Sequence, residues 1–153
     1  MQQNCIKFCY FADMESNGIR QILKNHSLRV TDCRIDVLNK FLSTGHALST
    51  RELEDEFIQY DRVTMYRTLH SFVDKGILHS IPDDSGFARY GICHETCTPE
   101  EHAHNHIHFK CHECGNIECI PDHHAPDINL PGYKVKDVNM ILNGVCEHCN
   151  SQE

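Results

Sequence analysis

The sequence predicts an α+β protein: an N-terminal winged helix, built as a helix-turn-helix plus a β-hairpin wing, followed by a small zinc-binding domain. Three observations predict it. Apolar residues recur at helical spacing in four successive stretches between Asn17 and Lys75 and then switch to strand alternation. Two Cys-x-x-Cys hooks, Cys111 to Cys114 and Cys146 to Cys149, frame the C-terminal part. Nine of the 13 histidines lie between His79 and His124, so metal ligands and helices segregate along the chain.

In order, the first sixteen residues, with Cys5 and Cys9, form a weakly specified extension. Ser16 or Asn17 caps a first helix whose Ile19, Ile22 and Leu23 share a face, ending near His26. Thr31 or Asp32 caps a second, with Ile35, Leu38 and Leu42 on one face, Val37 and Phe41 widening it, and Thr44-Gly45 stopping it. Ser49-x-x-Glu52 is a capping-box signature for a third, with Leu53 and Phe57 inward. Asp61 opens a fourth over Arg62 to Lys75, where Val63, Tyr66, Leu69 and Phe72 or Val73 recur at turns before Gly76 closes it.

Ile77 to Ile81 and Phe87 to Ile92 then read as strands joined by the turn Pro82-Asp83-Asp84-Ser85-Gly86. Helices followed by a hairpin is the winged-helix order, although a small helical domain with an added hairpin shares the pattern. On the fourth helix Arg62, Thr64, Arg67 and His70 share an exposed surface able to meet phosphates and base edges; the plain alternative is a solvated helix face. The division is a domain over residues 1–90 and a second over 91–153, with a hinge at about 91–101.

The second part carries the metal chemistry. His102, His104, His106 and His108 alternate and run into Cys111-x-x-Cys114, so an extended chain turns these imidazoles to one side; the pair His106 and His108 starts the strand itself. Four thiolates in two hooks are the usual tetrahedral structural zinc site, closed to substrate, with two disulfides or redox pairs as the other interpretation. Cys119, in the apolar run Ile117-Glu118-Cys119-Ile120, reads as core, and Cys33 on the second helix has no assigned role. His112, His123, His124 and His148 read as solvent-facing or supporting groups rather than ligands.

Composition excludes some partners. No apolar run approaches a membrane span and no signal core follows the N-terminus, so the expected compartment is the cytoplasm, where ten cysteines favour metal over disulfides. The net charge of -8 hides an asymmetry: residues 17–81 carry nine basic and eight acidic side chains, and residues 82–153 carry four basic and twelve acidic. The helical half is therefore near neutral, with well spread arginines, and the metal-rich half is acidic. A metalloenzyme is disfavoured because the chain has no His-Glu-x-x-His pairing and no evident general base beside the ligands.

Thr64-Met65-Tyr66-Arg67-Thr68-Leu69, Lys75-Gly76-Ile77-Leu78, Arg89-Tyr90, His106-x-His108-Phe109-x-Cys111-x-x-Cys114-Gly115 and Gly144-x-Cys146-x-x-Cys149 together resemble the ferric uptake regulator family, as does Arg29-Val30-Thr31-x-x-Arg34. The resemblance covers roughly residues 18–150. It implies a homodimeric, metal-dependent repressor with a winged helix and a C-terminal α/β dimerisation domain. By the same resemblance Tyr66 and Arg67 lie on the recognition helix, while Cys111, Cys114, Cys146 and Cys149 hold structural Zn(II).

The regulatory site departs from the family pattern. Two histidines matching His106 and His108 would join a carboxylate at the wing's end, but that position is Gly91, and the first-half histidine is matched only by His46, one residue out of register. Residues of a further site in some members fall on Asn105, Ile107 and Val138, so that site is not expected. His79 at the edge of the wing and Cys93 just past it are the candidates to complete the sensor, with His94, Cys97 and His104 next. For His79 the plain alternative is an exposed strand residue, and for Cys93 and Cys97 a small buried one. Zinc-responsive members resemble this chain in using sulfur in place of the carboxylate.

Imidazoles with a thiolate favour Zn(II) over Fe(II) as the second divalent metal. An ion shared by wing and second domain would fix the angle between them and raise affinity for palindromic double-stranded DNA when metal is plentiful. No membrane and no small organic substrate is expected. The alternatives are an iron- or peroxide-responsive member of the same family, or a zinc-binding interaction module without DNA binding.

Overall fold

The computed structural model describes residues 16–82, 86–93, 106–124, 126, 128–136 and 138–151. They fall in two compact units, Met1–Cys93 and His94–Glu153. Unit 1 runs α1 (Ser16–Asn25), α2 (Asp32–Thr44), β1 (Leu48–Ser49), α3 (Thr50–Glu56), α4 (Arg62–Asp74), β2 (Leu78–Ile81) and β3 (Arg89–Ile92). Unit 2 runs β4 (His106–Cys111), β5 (Ile117–His124), β6 (Met140–Gly144) and α5 (Glu147–Asn150).

Local chemistry sets the helix ends of unit 1. The Thr31 hydroxyl accepts the Arg34 amide at the start of α2, which stops at Gly45 with a φ of 73°, a left-handed conformation that a side chain would disfavour. Ser49 and Glu52 form a complete capping box on α3. Asp61 caps α4 by accepting the Thr64 amide at 2.9 Å and the Thr64 hydroxyl at 2.7 Å. Ser49 also pairs with Arg89 as β1 joins the wing, in the order β1-β3-β2 with antiparallel neighbours. The sequence pattern did not announce β1, because two residues are too few to show a period.

Ile19, Leu23, Val37, Leu38, Phe41, Leu53, Met65, Leu69 and Phe72 make one core with Leu78 and Tyr90 from the wing. Two expectations need correction. The inward stripe of α2 is Cys33, Val37, Leu38 and Phe41, while Ile35 and Leu42 are only partly covered. On α4 the inward stripe is Met65, Thr68, Leu69 and Phe72; Val63 and Tyr66 are 57% and 58% exposed. Thr68 wins its place because its hydroxyl meets the buried Cys33 sulfur at 3.5 Å, so a polar group satisfied by a partner replaces an apolar one.

Unit 2 is a three-stranded sheet ordered β5-β4-β6, with β4–β5 antiparallel and β4–β6 parallel. The turn between β4 and β5 is tight: the Cys111 amide donates to Asn116 and the Gly115 amide to Cys111. Gly115 takes a φ of 73° there. β6 delivers the chain to the second hook at Cys146 and Cys149, where Cys146 is the N-cap residue of the short helix α5. No helix among the described residues is long and apolar enough to cross a membrane.

Candidate metal centres and nucleic-acid interface

The two hooks meet within unit 2. One sulfur each from Cys111, Cys114, Cys146 and Cys149 lies within 4.8 Å of the others, and the Cys114 and Cys146 sulfurs are 3.9 Å apart. The Cys146 amide donates to Cys111 Sγ at 3.3 Å. Backbone amides of Cys114 and Cys146 turned onto Cys111 lower its thiol to about 6. A shared proton with Cys146, with burial adding to it, pushes Cys149 up to about 12. Sulfurs this close cannot all ionise without a counter-charge, and a zinc ion is the charge such a tetrad accepts. The donor set therefore fits structural zinc.

Each unit also carries a pair of one imidazole and one thiol. In unit 1, His79 on β2 faces Gly91 on β3, and Cys93, just past the end of β3, has its amide bonded to the Ile77 carbonyl at 2.9 Å. Because Gly91 puts no side chain between them, His79 Nδ1 comes to 3.7 Å from Cys93 Sγ. His79 is 2% exposed, so the exposed-strand alternative is set aside.

In unit 2, His108 on β4 and Cys119 on β5 are register partners, with an imidazole nitrogen and the sulfur within 4.8 Å. His108 is buried and Cys119 half-buried. Cys119 is thus not a core residue but sits beside a candidate ligand. A signal for it existed: the Cys111–Cys114 turn fixes the hairpin register, and counting back from that turn sets position 119 against 108.

The remaining candidates separate. His46 donates Nδ1–H to its neighbour Ala47 at 3.1 Å and joins no described group of metal-capable residues. The side chain of His106, which opens β4, and residues His94, Cys97 and His104 lie outside the described residues.

The exposed face of α4 carries Arg62, Val63, Tyr66, Arg67 and His70. The Tyr66 and His70 rings lie 4.1 Å apart, centre to centre, one turn apart on the same face. The Thr64 hydroxyl donates to the Asp61 cap at 2.7 Å. A helix held by its apolar back, with arginines and aromatics outward, is the form in which a recognition helix meets a major groove.

A model of the ferric uptake regulator family matches residues 25–143. The chain belongs to the ferric uptake regulator family. The "Ferric uptake regulation protein" of Staphylococcus aureus is 32% identical over 145 residues, spanning 89% of this chain and 98% of its own. A zinc uptake regulator complexed with zinc and DNA shares the fold at a TM-score of 0.60 and 20% identity, over 90% of this chain and 93% of that one. The Vibrio cholerae ferric uptake regulator does so at 0.54 and 21%, over 83% and 98%. This member of the ferric uptake regulator family is a metal-responsive DNA-binding regulator, not an enzyme.

Proposed function

We propose that this regulator is a zinc-responsive repressor. Zinc beyond the structural ion is held by His79 and Cys93 from the wing together with His108 and Cys119 from the second sheet, with His106 the alternative donor. The observation that carries this is the repeated pairing of one imidazole with one thiol, at 3.7 Å in unit 1 and within 4.8 Å in unit 2. Two nitrogens and two sulfurs suit tetrahedral zinc, whereas iron or manganese sensing favours oxygen, which Gly91 does not supply.

The bound ion supplies a fixed link between wing and sheet. The chain's own residues do the rest: β3 and β2 orient Cys93 and His79, the β4–β5 register orients His108 and Cys119, and α4 meets the operator. Metal that favours one arrangement of the two α4 helices in a dimer raises affinity for a palindromic site by that preference. Exposed Leu130, Tyr133, Leu142 and Val145 of unit 2 support a second copy of the chain as the partner of this acidic half. A cytoplasmic location follows from this function.

The test is metal content and operator binding of anaerobically purified protein, for wild type, His106→Ala/His108→Ala and Cys119→Ala, with zinc and iron each offered. Two zinc ions per chain in the wild type, one in the variants, and zinc-dependent DNA binding only in the wild type are expected. One zinc in all three, with iron captured by the wild type alone, would make the protein an iron regulator and overturn the metal assignment.

A further inference from the structure

Arg62 opens α4 and its side chain is 83% exposed, yet it is held: Nε donates to Glu54 Oε2 at 3.0 Å. Glu54 belongs to α3, the helix before the recognition helix, and is itself only 31% exposed. As energy an exposed ion pair of this kind is small. Its weight is geometric. A guanidinium is planar with five donors in a rigid fork, so a bond at Nε fixes the plane and leaves the outer Nη1–Nη2 edge for another partner.

We propose that Arg62 reads a guanine in each operator half-site through that outer edge, and that Glu54 is the positioning residue that holds it there. This rests on the DNA-binding assignment of the family and deepens it. Two Nη–H groups match the O6 and N7 acceptors of guanine in the major groove, and the first residues of a recognition helix are the ones that reach base edges. Phosphate is the poorer partner. The Glu54 carboxylate cancels the local positive charge that would draw a phosphate and repels the phosphate itself, while the hydrogen-bond donors of the fork remain available. The other nearby acid, Asp61, is occupied by Thr64.

The experiment is selection from a pool of random duplexes with zinc-loaded full-length protein, for wild type, Arg62→Ala, Glu54→Ala and Glu54→Gln, followed by affinity measurements on the selected site. The wild type should enrich a guanine in each half-site. Replacing it with 7-deazaguanine, which lacks N7, should weaken wild-type binding roughly five- to a hundredfold and leave Arg62→Ala indifferent. Glu54→Ala should lose much of the guanine preference while Glu54→Gln, which keeps an acceptor, should retain it. Persistence of the guanine in the Arg62→Ala motif, or a fall of about one in the salt slope of Arg62→Ala with no change in base preference, would mark a phosphate contact and overturn the proposal. A wild type that enriches no motif with zinc bound would bring down the operator assignment and this one with it; a wild type that enriches a motif blind to Arg62 would bring down this one alone.

Discussion

Removing zinc should melt unit 2 and leave unit 1 folded. Among the described residues the buried apolar side chains from Ile19 to Tyr90 all belong to unit 1, and unit 2 contributes Ile117 with the ligand cysteines Cys111 and Cys146. Burying one isoleucine is worth about 1.5–3 kcal/mol, while ordering backbone costs about 1–2 kcal/mol per residue. Three strands cannot stand on that balance. Zinc in a four-thiolate site supplies about 10–16 kcal/mol in small modules, so an ion bound by the four cysteines would be the larger part of what holds the sheet. The assay is hydrogen exchange on peptides across β4, β5 and β6 and across α2 and α4, before and after a strong chelator, with metal content measured on the same samples. Protection should collapse in the strands and persist in the helices, and Cys114→Ser should reproduce the effect without chelator. Intact strand protection in protein shown to contain no zinc would refute the reasoning; so would a single cooperative loss across both units.

Three further outcomes are expected. The Glu52 carboxyl is pushed up by burial but more strongly held down by the Ser49 hydroxyl and amide and by Arg89. Its folded value lies below 4.5, so its contribution is present above that pH and lost as pH falls through the folded value; acid melts of Glu52→Gln should show a shallower loss. The Tyr60 hydroxyl donates to Asp36 at 2.6 Å, which with burial raises it to about 12. That contribution is complete below the ordinary value of 10 and lost as pH rises toward about 12, so absorbance titration should show one late tyrosine that Tyr60→Phe removes. A methyl group at Gly144 would meet the Phe109 ring at 3.2 Å; Gly144→Ala should destabilise unit 2 by about 1–3 kcal/mol in denaturant, with zinc content preserved.

What the sequence made legible was local. The Ser49–Glu52 box, the Asp61 cap and the two cysteine hooks are decided within a few residues, and the structure has each where its spacing implies. What it hid depends on partners distant in the chain. The apolar pattern of α4 admits two neighbouring stripes, and only the Cys33–Thr68 contact selects the one that turns Val63 and Tyr66 outward. Cys119 looked like core because its neighbours Ile117 and Ile120 are apolar, whereas its role follows from the strand it faces. The parallel pairing of β6 with β4 had no local signal, since residues 107–111 and 140–144 are distant in the chain and only the two cysteine hooks that follow them mark their proximity.

Gly91 is the departure from the family pattern with the most chemical consequence, and the geometry of the wing turns it from a loss into a substitution. A carboxylate at that position would project from β3 directly opposite His79. With glycine there, the face is open, and the next side chain on it is the Cys93 thiol, which the imidazole reaches at 3.7 Å. On the other sheet, β5 sets Cys119 opposite His108. One thiol beside one histidine is weak evidence, because buried cysteines are ordinary small residues. Two such pairs, on separate sheets, are what the zinc proposal rests on, since thiolate and imidazole suit zinc better than an oxygen-preferring ion. Cobalt offered in place of zinc should therefore give thiolate-to-metal charge-transfer absorption beyond that of the four-cysteine site. Cys93→Ser and Cys119→Ser should each remove part of that excess and leave the structural signal intact; an excess unchanged by both would mean that sulfur plays no part in the sensor.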